Sequence, residues 1–302
     1  MPKPPGSSSL QLPRGDWVTV FDCLCEHFPH IAAATWRDRM ARGLVVDSAG
    51  HALIPTSPFR VGMEVHYQRE IPDEQVIPHA EHIVYRDDDL LVADKPPFLP
   101  VAPVGAWVEQ TLLRRLQRKL QLPALAPLHR LDRATSGLVM FSIRPETRAA
   151  YHALFSSRRI LKRYSALAPP LPALEFPRRH RSRLVPGTPF FRTQEVPGIP
   201  NSETVIDVIE RGAPLWRYSL TPVTGRKHQL RVHLASLGAP IDGDRYYPDI
   251  KADAADDPRQ PLALLAEELS FVDPVNGKAR AFRSTLRLPV TSREPDGPAP
   301  GP

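Results

Sequence analysis

Residues 129–143 read HRLDRATSGLVMFSI, and this stretch determines how the rest of the chain is interpreted. It places one carboxylate, Asp132, between Arg130 and Arg133, with small hydroxyl residues and Gly137 directly before an apolar segment. Flanking cations favour the charged form of a carboxylate, which is the form that acts as a nucleophile or a base. The small residues after it can turn the chain tightly and offer backbone N–H groups to a phosphate or a base. By itself the stretch is also typical of a helix cap or a buried salt bridge, so it predicts a candidate site and not yet an activity.

A second dense stretch, residues 222–247, reads PVTGRKHQLRVHLASLGAPIDGDRYY. Its donor-rich start precedes a helix predicted over 227–237, and donors at a helix start suit an anion. Arg231 lies three positions after His228 and therefore on the same face of that helix. An arginine inside a helix that packs on a sheet needs a carboxylate partner, and Asp132 is the predicted partner.

Composition and charge indicate a basic globular protein. The 302 residues carry 39 Lys and Arg against 33 Asp and Glu, a net charge of +6, and this balance suits a polyanionic partner such as nucleic acid. No apolar run approaches the roughly 20 residues that span a bilayer, and residues 1–15 lack the apolar stretch of a secretory signal. We therefore expect a cytoplasmic protein. Cys23 and Cys25 are expected to be free thiols, because a bridge between them would close a strained ring.

The order of predicted elements indicates an α+β fold. Strands outnumber helices and do not alternate regularly with them, which favours a mostly antiparallel mixed sheet with flanking helices. Strands are predicted near residues 137–143, 163–168, 203–210, 216–221 and 278–286, and helices near residues 107–120, 145–155 and 227–237.

Four segments are predicted along the chain: a flexible leader (1–15), a small module (16–75), a catalytic domain (77–287) and a disordered tail (288–302). The small module reads as two helices and a hairpin, and it resembles the S4 RNA-binding module. It either binds RNA or packs on the catalytic domain as an accessory. A run of arginines between Arg178 and Arg183 lies in a Pro-rich insertion and is either a solvated loop or an RNA clamp.

The two dense stretches, together with Asp94-Lys95-Pro96 and Lys162-Arg163-Tyr164, resemble the signature motifs of the RluA-type RNA pseudouridine synthases. The similarity covers residues 77–287 in the same order and spacing. Two positions depart from the family pattern: Lys227 replaces a common small hydroxyl residue, and Asp94 replaces a frequent asparagine. Neither is one of Asp132, Tyr164 and Arg231, which the resemblance implies are the catalytic residues, so both bear on substrate choice more than on activity.

The resemblance implies isomerisation of a uridine in a structured RNA, with neither a metal nor an organic cofactor. Asp132 would be the attacking carboxylate, Arg231 would pair with it, and Tyr164 would pack against the target base and take part in deprotonating C5. The residues implied to contact the RNA backbone or the flipped base are Lys95, His129, Arg130, Arg133, Thr135, Ser136, Lys162, Arg226, His228 and Gln229.

Several alternatives stay open from the sequence. Ribosomal and transfer RNA are both possible substrates, nothing demands more than a monomer, and Asp132 can act as a nucleophile at the sugar, as a base at C2′ or by stabilising positive charge. The alternative function is an RNA-binding protein of the same fold without catalysis. A zinc hydrolase is disfavoured because His228 and His233, five residues apart, do not share a helix face.

Overall fold

A computed structural model describes residues 7–70, 74–251 and 256–288. Within them the chain divides into two compact units. The first contains the residues up to Glu74 together with Pro103–Glu109, and the second contains Gln75–Ala102 together with the residues from Gln110 onward. Apart from Leu288, the predicted tail lies outside the described residues, and so do residues 1–6 of the predicted leader.

The first unit packs two short helices on a three-stranded sheet of order β1-β3-β2. Its core includes Trp36 and Leu24, both 0% exposed. The prediction of a flexible leader is wrong for Ser7–Gln11, because these residues form a strand paired antiparallel to β3. The resemblance to the S4 module stays a prediction. The elements are β1 (Ser7–Gln11), α1 (Val20–His27), α2 (Ala33–Ala41), β2 (Val45–Asp47) and β3 (Glu64–Gln68).

The second unit is built on an 11-stranded sheet whose central path runs β10-β9-β11-β12-β8-β13-β7-β5-β4. Its strands are β4 (His82–Arg86), β5 (Leu90–Lys95), β6 (Ala126–Pro127), β7 (Ser136–Ser142), β8 (Ile160–Ala168), β9 (Arg178–Pro186), β10 (Thr193–Val196), β11 (Ser202–Arg211), β12 (Trp216–Pro222), β13 (Leu264–Val272) and β14 (Ala279–Arg283). Its helices are α3 (Leu112–Leu120), α4 (Pro145–Ser156) and α5 (Gln229–Ser236). In the described part of this sheet the β7–β13 pair is parallel and the other paired strands are antiparallel, which confirms the predicted fold class.

Three of the differences from the sequence predictions concern β9, β13 and α3. The arginine run at 178–183 is not a loop but part of β9, paired with β11. Strand β13, central in the sheet, was not predicted, since its leucines, alanine and glutamates carry helix propensity that tertiary packing overrides. Helix α3 begins at Leu112 and not near Trp107, because the Thr111 side chain accepts the Arg114 N–H and caps the helix there.

Helices α5 and α4 each pack on an apolar part of the sheet. Leu230 and Leu234 of α5 belong to a buried cluster with Ile206, Tyr218 and Leu220 of the sheet. A separate cluster joins α4 to the strands on the β5 and β7 side. The packing of α5 holds its other residues, including Arg231, at a fixed position over the sheet.

Candidate active site

Asp132 lies in the loop that leads into β7, and that loop is tied to the centre of the sheet. The Thr135 N–H donates to the Asp132 carbonyl (3.1 Å), which closes a turn. Gly137 has φ +110°, and a Cβ there would lie 2.3 Å from the Ala266 carbonyl oxygen of β13. Only glycine permits this close approach of β7 to β13. Ser136 adds a hydrogen bond from its hydroxyl to the Leu264 carbonyl (3.3 Å), so the Asp132 loop is held firmly.

Arg231 connects Asp132 to a second carboxylate. Its Nε and Nη2 atoms each donate to Asp244 at 2.7 Å, and its Nη1 lies 3.4 Å from Asp132 Oδ2. The arginine is 3% exposed and the Asp244 side chain 1% exposed. The predicted pair is therefore present, but Asp244 is the primary partner, and the sequence reasoning did not assign it a role. A buried guanidinium with five donors can engage two carboxylates. That requirement, together with the position of Asp244 inside the quoted stretch, is the sequence signal that could have identified it.

The charge of Arg231 is secured by these partners. Burial by itself would lower the pKa of the guanidinium, but the hydrogen bonds and charge of Asp244, with the charge of Asp132, raise it overall above its ordinary value. The arginine therefore stays protonated and presents a fixed positive charge to Asp132.

Tyr164 lies in the middle of the sheet, on β8 between β12 and β13, where it is opposite Leu220 and Ala266. Burial, and then the nearby charge of Asp132, raise the pKa of its phenol above the ordinary value. The hydroxyl therefore stays protonated at neutral pH, where it can donate a hydrogen bond. The ring is partly buried against the core cluster and offers a flat surface beside the carboxylate.

His228 lies at the start of α5 and also faces Asp132. Its Nε2 is 3.9 Å from Asp132 Oδ2, and its Nδ1 is 2.8 Å from the Tyr247 hydroxyl oxygen. Because the Tyr247 hydroxyl donates to the Thr193 carbonyl (3.0 Å), His228 Nδ1 is the donor to Tyr247 and Nε2 is left as an acceptor facing the site. Burial lowers the pKa of His228 to about 4, so the ring is neutral at neutral pH.

Residues 89–236 match the RNA pseudouridylate synthase family. The dual-specificity RNA pseudouridine synthase RluA of Escherichia coli is 34% identical over 218 residues, which cover 67% of this chain and 91% of that protein. The chain belongs to the RluA-type RNA pseudouridine synthases. An uncharacterized RNA pseudouridine synthase of Synechocystis is 29% identical over 231 residues, covering 76% of this chain and 79% of that protein. The synthase is accordingly an isomerase.

Solved structures agree on the fold. Human RNA pseudouridylate synthase domain containing 4 is 24% identical and superposes with a TM-score of 0.54, covering 69% of this chain and 88% of that chain. Human RNA pseudouridylate synthase domain containing 1 gives the same identity and TM-score, with 70% and 91% covered. Among the helices that the structure of the synthase describes, none is long and apolar enough to cross a bilayer.

Two residues of the synthase that were predicted to contact RNA, the buried Lys95 and the half-buried His129, are bonded within the protein. Lys95 is 0% exposed, and its ammonium donates to the Pro96 (2.9 Å) and Arg133 (3.0 Å) carbonyls. Burial lowers the pKa of Lys95 to about 7. His129 accepts the Met140 N–H on Nε2 (3.1 Å), and burial lowers its pKa to about 3. Both side chains brace the loop that carries Asp132.

Gln229 has a similar bracing role at the start of α5. It is 4% exposed; its amide donates to the Glu203 carbonyl and the Thr204 hydroxyl, both at 2.9 Å, and its oxygen accepts from the Arg226 N–H (3.1 Å). Thr135 and Ser136 are buried as well. Because these side chains are buried, they contribute to the local structure of the loop before β7 and of the start of α5.

The other cations predicted to contact RNA differ in their exposure and in their partners. Arg130 and Arg226 are exposed and keep the predicted role of contacting RNA, whereas Arg133 forms a bidentate pair with Asp256, Nη2 to Oδ1 at 2.8 Å. Lys162 is partly buried, and burial lowers its pKa. On β9, Arg179 and Arg181 both pair with Glu203 (2.5 and 2.9 Å), which neutralises part of that basic strand.

One group of side chains has the composition of a metal site. Ligand atoms of His180, Glu195 and His233 lie within 4.8 Å of one another. His233 Nε2 is 3.0 Å from the Ser202 hydroxyl, which itself donates to a backbone carbonyl of β9 (2.8 Å) and must therefore accept the Nε2–H. Nδ1 lies 2.9 Å from the Thr204 hydroxyl. A protonated Nε2 has no lone pair for a metal, so the geometry favours a hydrogen-bonded brace beneath α5.

Proposed function

We propose that this synthase extrudes a uridine from structured ribosomal or transfer RNA and isomerises it with Asp132 as the catalytic carboxylate. Arg231 orients Asp132, and Tyr164 holds the detached base. A uridine stacked in RNA hides its C1′ atom, so extrusion must precede the chemistry. The observation that carries the proposal is a single carboxylate held from one side by a buried, permanently charged arginine.

The contacts of Asp132 suit this role. Its side chain is 28% exposed, and Oδ2 faces both Arg231 and His228. Oδ1 has no hydrogen-bond partner in the described part of the chain, which leaves it available to the sugar of an incoming nucleotide. An ionised carboxylate that is oriented on one oxygen and open on the other can attack C1′, remove a proton at C2′ or stabilise positive charge at the sugar.

The isomerisation conserves every atom of the nucleotide. The C1′–N1 bond breaks, the uracil rotates, a C1′–C5 bond forms, C5 loses its hydrogen and N1 gains one. Tyr164 contributes a protonated hydroxyl and a flat ring beside the rotating base. The neutral His228 ring adds an acceptor on the same side.

The same proposal places the synthase in the cytoplasm as a monomer, where it meets both classes of RNA. Light scattering on the purified full chain, with and without RNA, measures the oligomeric state. A stable oligomer in both conditions would contradict this part of the proposal without affecting the chemistry.

Gene deletion in the host, followed by mapping of pseudouridine in ribosomal and transfer RNA, tests the function. We expect at least one site to disappear, wild-type protein to restore it, and Asp132→Asn protein to bind that RNA without restoring it. If no site disappears and wild-type protein modifies no RNA fraction, the enzyme proposal fails. RNA binding alone would then favour the silent RNA-binding protein.

A further inference from the structure

Four rings form a row that begins at the catalytic carboxylate and ends in solvent. The ring centroids of His228 and Tyr246 are 5.8 Å apart, those of Tyr246 and Phe191 5.2 Å, and those of Phe191 and Phe190 5.7 Å. At the inner end, the guanidinium of Arg231 lies 5.0 Å from the Tyr246 centroid. At the outer end, Phe190 is 86% exposed. The proposed chemistry uses the inner ring and leaves the other three without a role.

The turn that carries Phe190 joins β9 to β10 and is firmly anchored. The Gly187 N–H donates to the Arg192 carbonyl (3.1 Å), which closes the turn. The Arg192 guanidinium donates to the Pro248 carbonyl (2.7 Å) and lies 4.9 Å from the Tyr247 ring centroid. The turn is thus fixed to the segment that follows Tyr246. A surface held in place in this way loses little conformational entropy when a ligand binds to it.

The Phe190 side chain contributes little to the stability of the fold. Burying such a side chain would stabilise the protein by roughly 1.5–3 kcal/mol, and at 86% exposure most of that contribution is absent. A flat apolar ring beside a nucleotide site suits a nucleobase, because any base can stack on an aromatic face. Arg226 and Lys227, both exposed next to His228, attract an anionic backbone to the same region and favour RNA over an apolar protein partner.

We propose that Phe190 stacks on an unpaired base flanking the target uridine, so that the row of rings leads RNA into the site. RNA with a loop or bulge at the uridine is then preferred over uninterrupted duplex. This inference rests on the proposed function, since it assumes that the uridine binds at Asp132.

A binding experiment with the full-length protein tests the stacking. The probe is an RNA hairpin whose loop carries a uridine next to the fluorescent base 2-aminopurine, compared with the same strand closed into a duplex. Phe190→Ala removes the ring, Phe190→Trp keeps an aromatic face, and Ile199→Ala removes a comparably exposed apolar side chain (87%) at the other end of β10. Because Phe190 is so exposed, none of these variants is expected to unfold, and thermal melts check this.

We expect Phe190→Ala to weaken hairpin binding about 5- to 150-fold, the range that corresponds to one base–aromatic stack, and to lose the quenching of 2-aminopurine. Phe190→Trp retains both, Ile199→Ala matches wild type, and duplex affinity is the same for all four proteins. Unchanged hairpin affinity in Phe190→Ala overturns the inference. So does a wild-type dimer that Phe190→Ala dissociates, because the ring then belongs to a contact between two copies.

The two proposals fail in distinguishable ways. If hairpin binding depends on Phe190 while wild-type protein forms pseudouridine in no RNA, the stacking stands and the catalytic proposal falls. If Phe190→Ala forms pseudouridine in the host RNA with wild-type kcat/KM, the stacking falls and the catalytic proposal stands.

Discussion

Replacing Asp244 with asparagine removes one negative charge from a buried pair while keeping the shape of the side chain. In the variant, Arg231 would keep its charge at 3% exposure and retain only Asp132, at 3.4 Å, as a carboxylate partner. Breaking a buried ion pair by removing one partner costs about 3–5 kcal/mol. Because asparagine keeps one acceptor oxygen, we expect the lower end, about 3 kcal/mol. For a domain of this size that corresponds to a Tm lower by roughly 6–12 °C.

The same variant is expected to lower kcat, because Arg231 would turn toward Asp132 and engage the oxygen atoms that the sugar requires. Tritium release from RNA labelled at uridine C5 measures the rate, since C5 loses its hydrogen in the reaction. Asp207→Asn, at an exposed carboxylate of β11, is the matched control and should change neither Tm nor kcat. A Tm within about 2 °C of wild type, a shift worth under about 1 kcal/mol, combined with unchanged kcat would refute the reasoning and show that Asp132 alone satisfies Arg231.

Three further predictions concern stability. Lys95→Met removes the ammonium that donates to the Pro96 and Arg133 carbonyls, and the free energy of unfolding should fall by about 1–3 kcal/mol for each lost donor. The Lys95 pKa is about 7 in the folded state and 10.5 in the unfolded chain, so between these pH values the unfolded chain binds more protons. The free energy of unfolding of the wild-type protein therefore rises with pH in this range. In urea unfolding, the increase from pH 7 to pH 9.5 should be smaller in Lys95→Met than in wild type. Burial lowers the pKa values of His228 and His233 from 6.5 to about 4, so the free energy of unfolding should fall as the pH decreases from 6.5 to 4. His233→Gln should reduce this pH dependence by about one proton, or about 1.4 kcal/mol per pH unit. An unchanged pH dependence in this variant would contradict the lowered pKa of His233. Gly137→Ala places a Cβ against a backbone oxygen and should prevent stable folding. Gly277→Ala, at φ +72° in open space, should lower the free energy of unfolding by only about 1–2 kcal/mol, as measured by thermal melts. Equal losses of stability in the two variants would show that the close approach of β7 to β13 is dispensable.

Local patterns predicted much of the fold because they reflect local physics. The apolar run at residues 137–143 and the alternation at residues 216–221 predicted β7 and β12 to within a residue or two, and Pro145 marked the start of α4. The errors fall where tertiary contacts decide. Strand β13 carries helix-forming residues, and β9 carries arginines, yet both pair with neighbours on each side in the sheet.

The sequence by itself determined the family and predicted the catalytic residues, since Asp132, Tyr164 and Arg231 stand in motifs whose residue types and spacing resemble those of the family. Only the tertiary structure decided what surrounds them. It made Asp244 the main partner of Arg231, buried Lys95 beneath the loop that carries Asp132, and extended a row of rings to Phe190. The reason is physical: a motif specifies which groups are present, whereas burial, charge pairing and exposure depend on which distant strands and turns the fold brings against them.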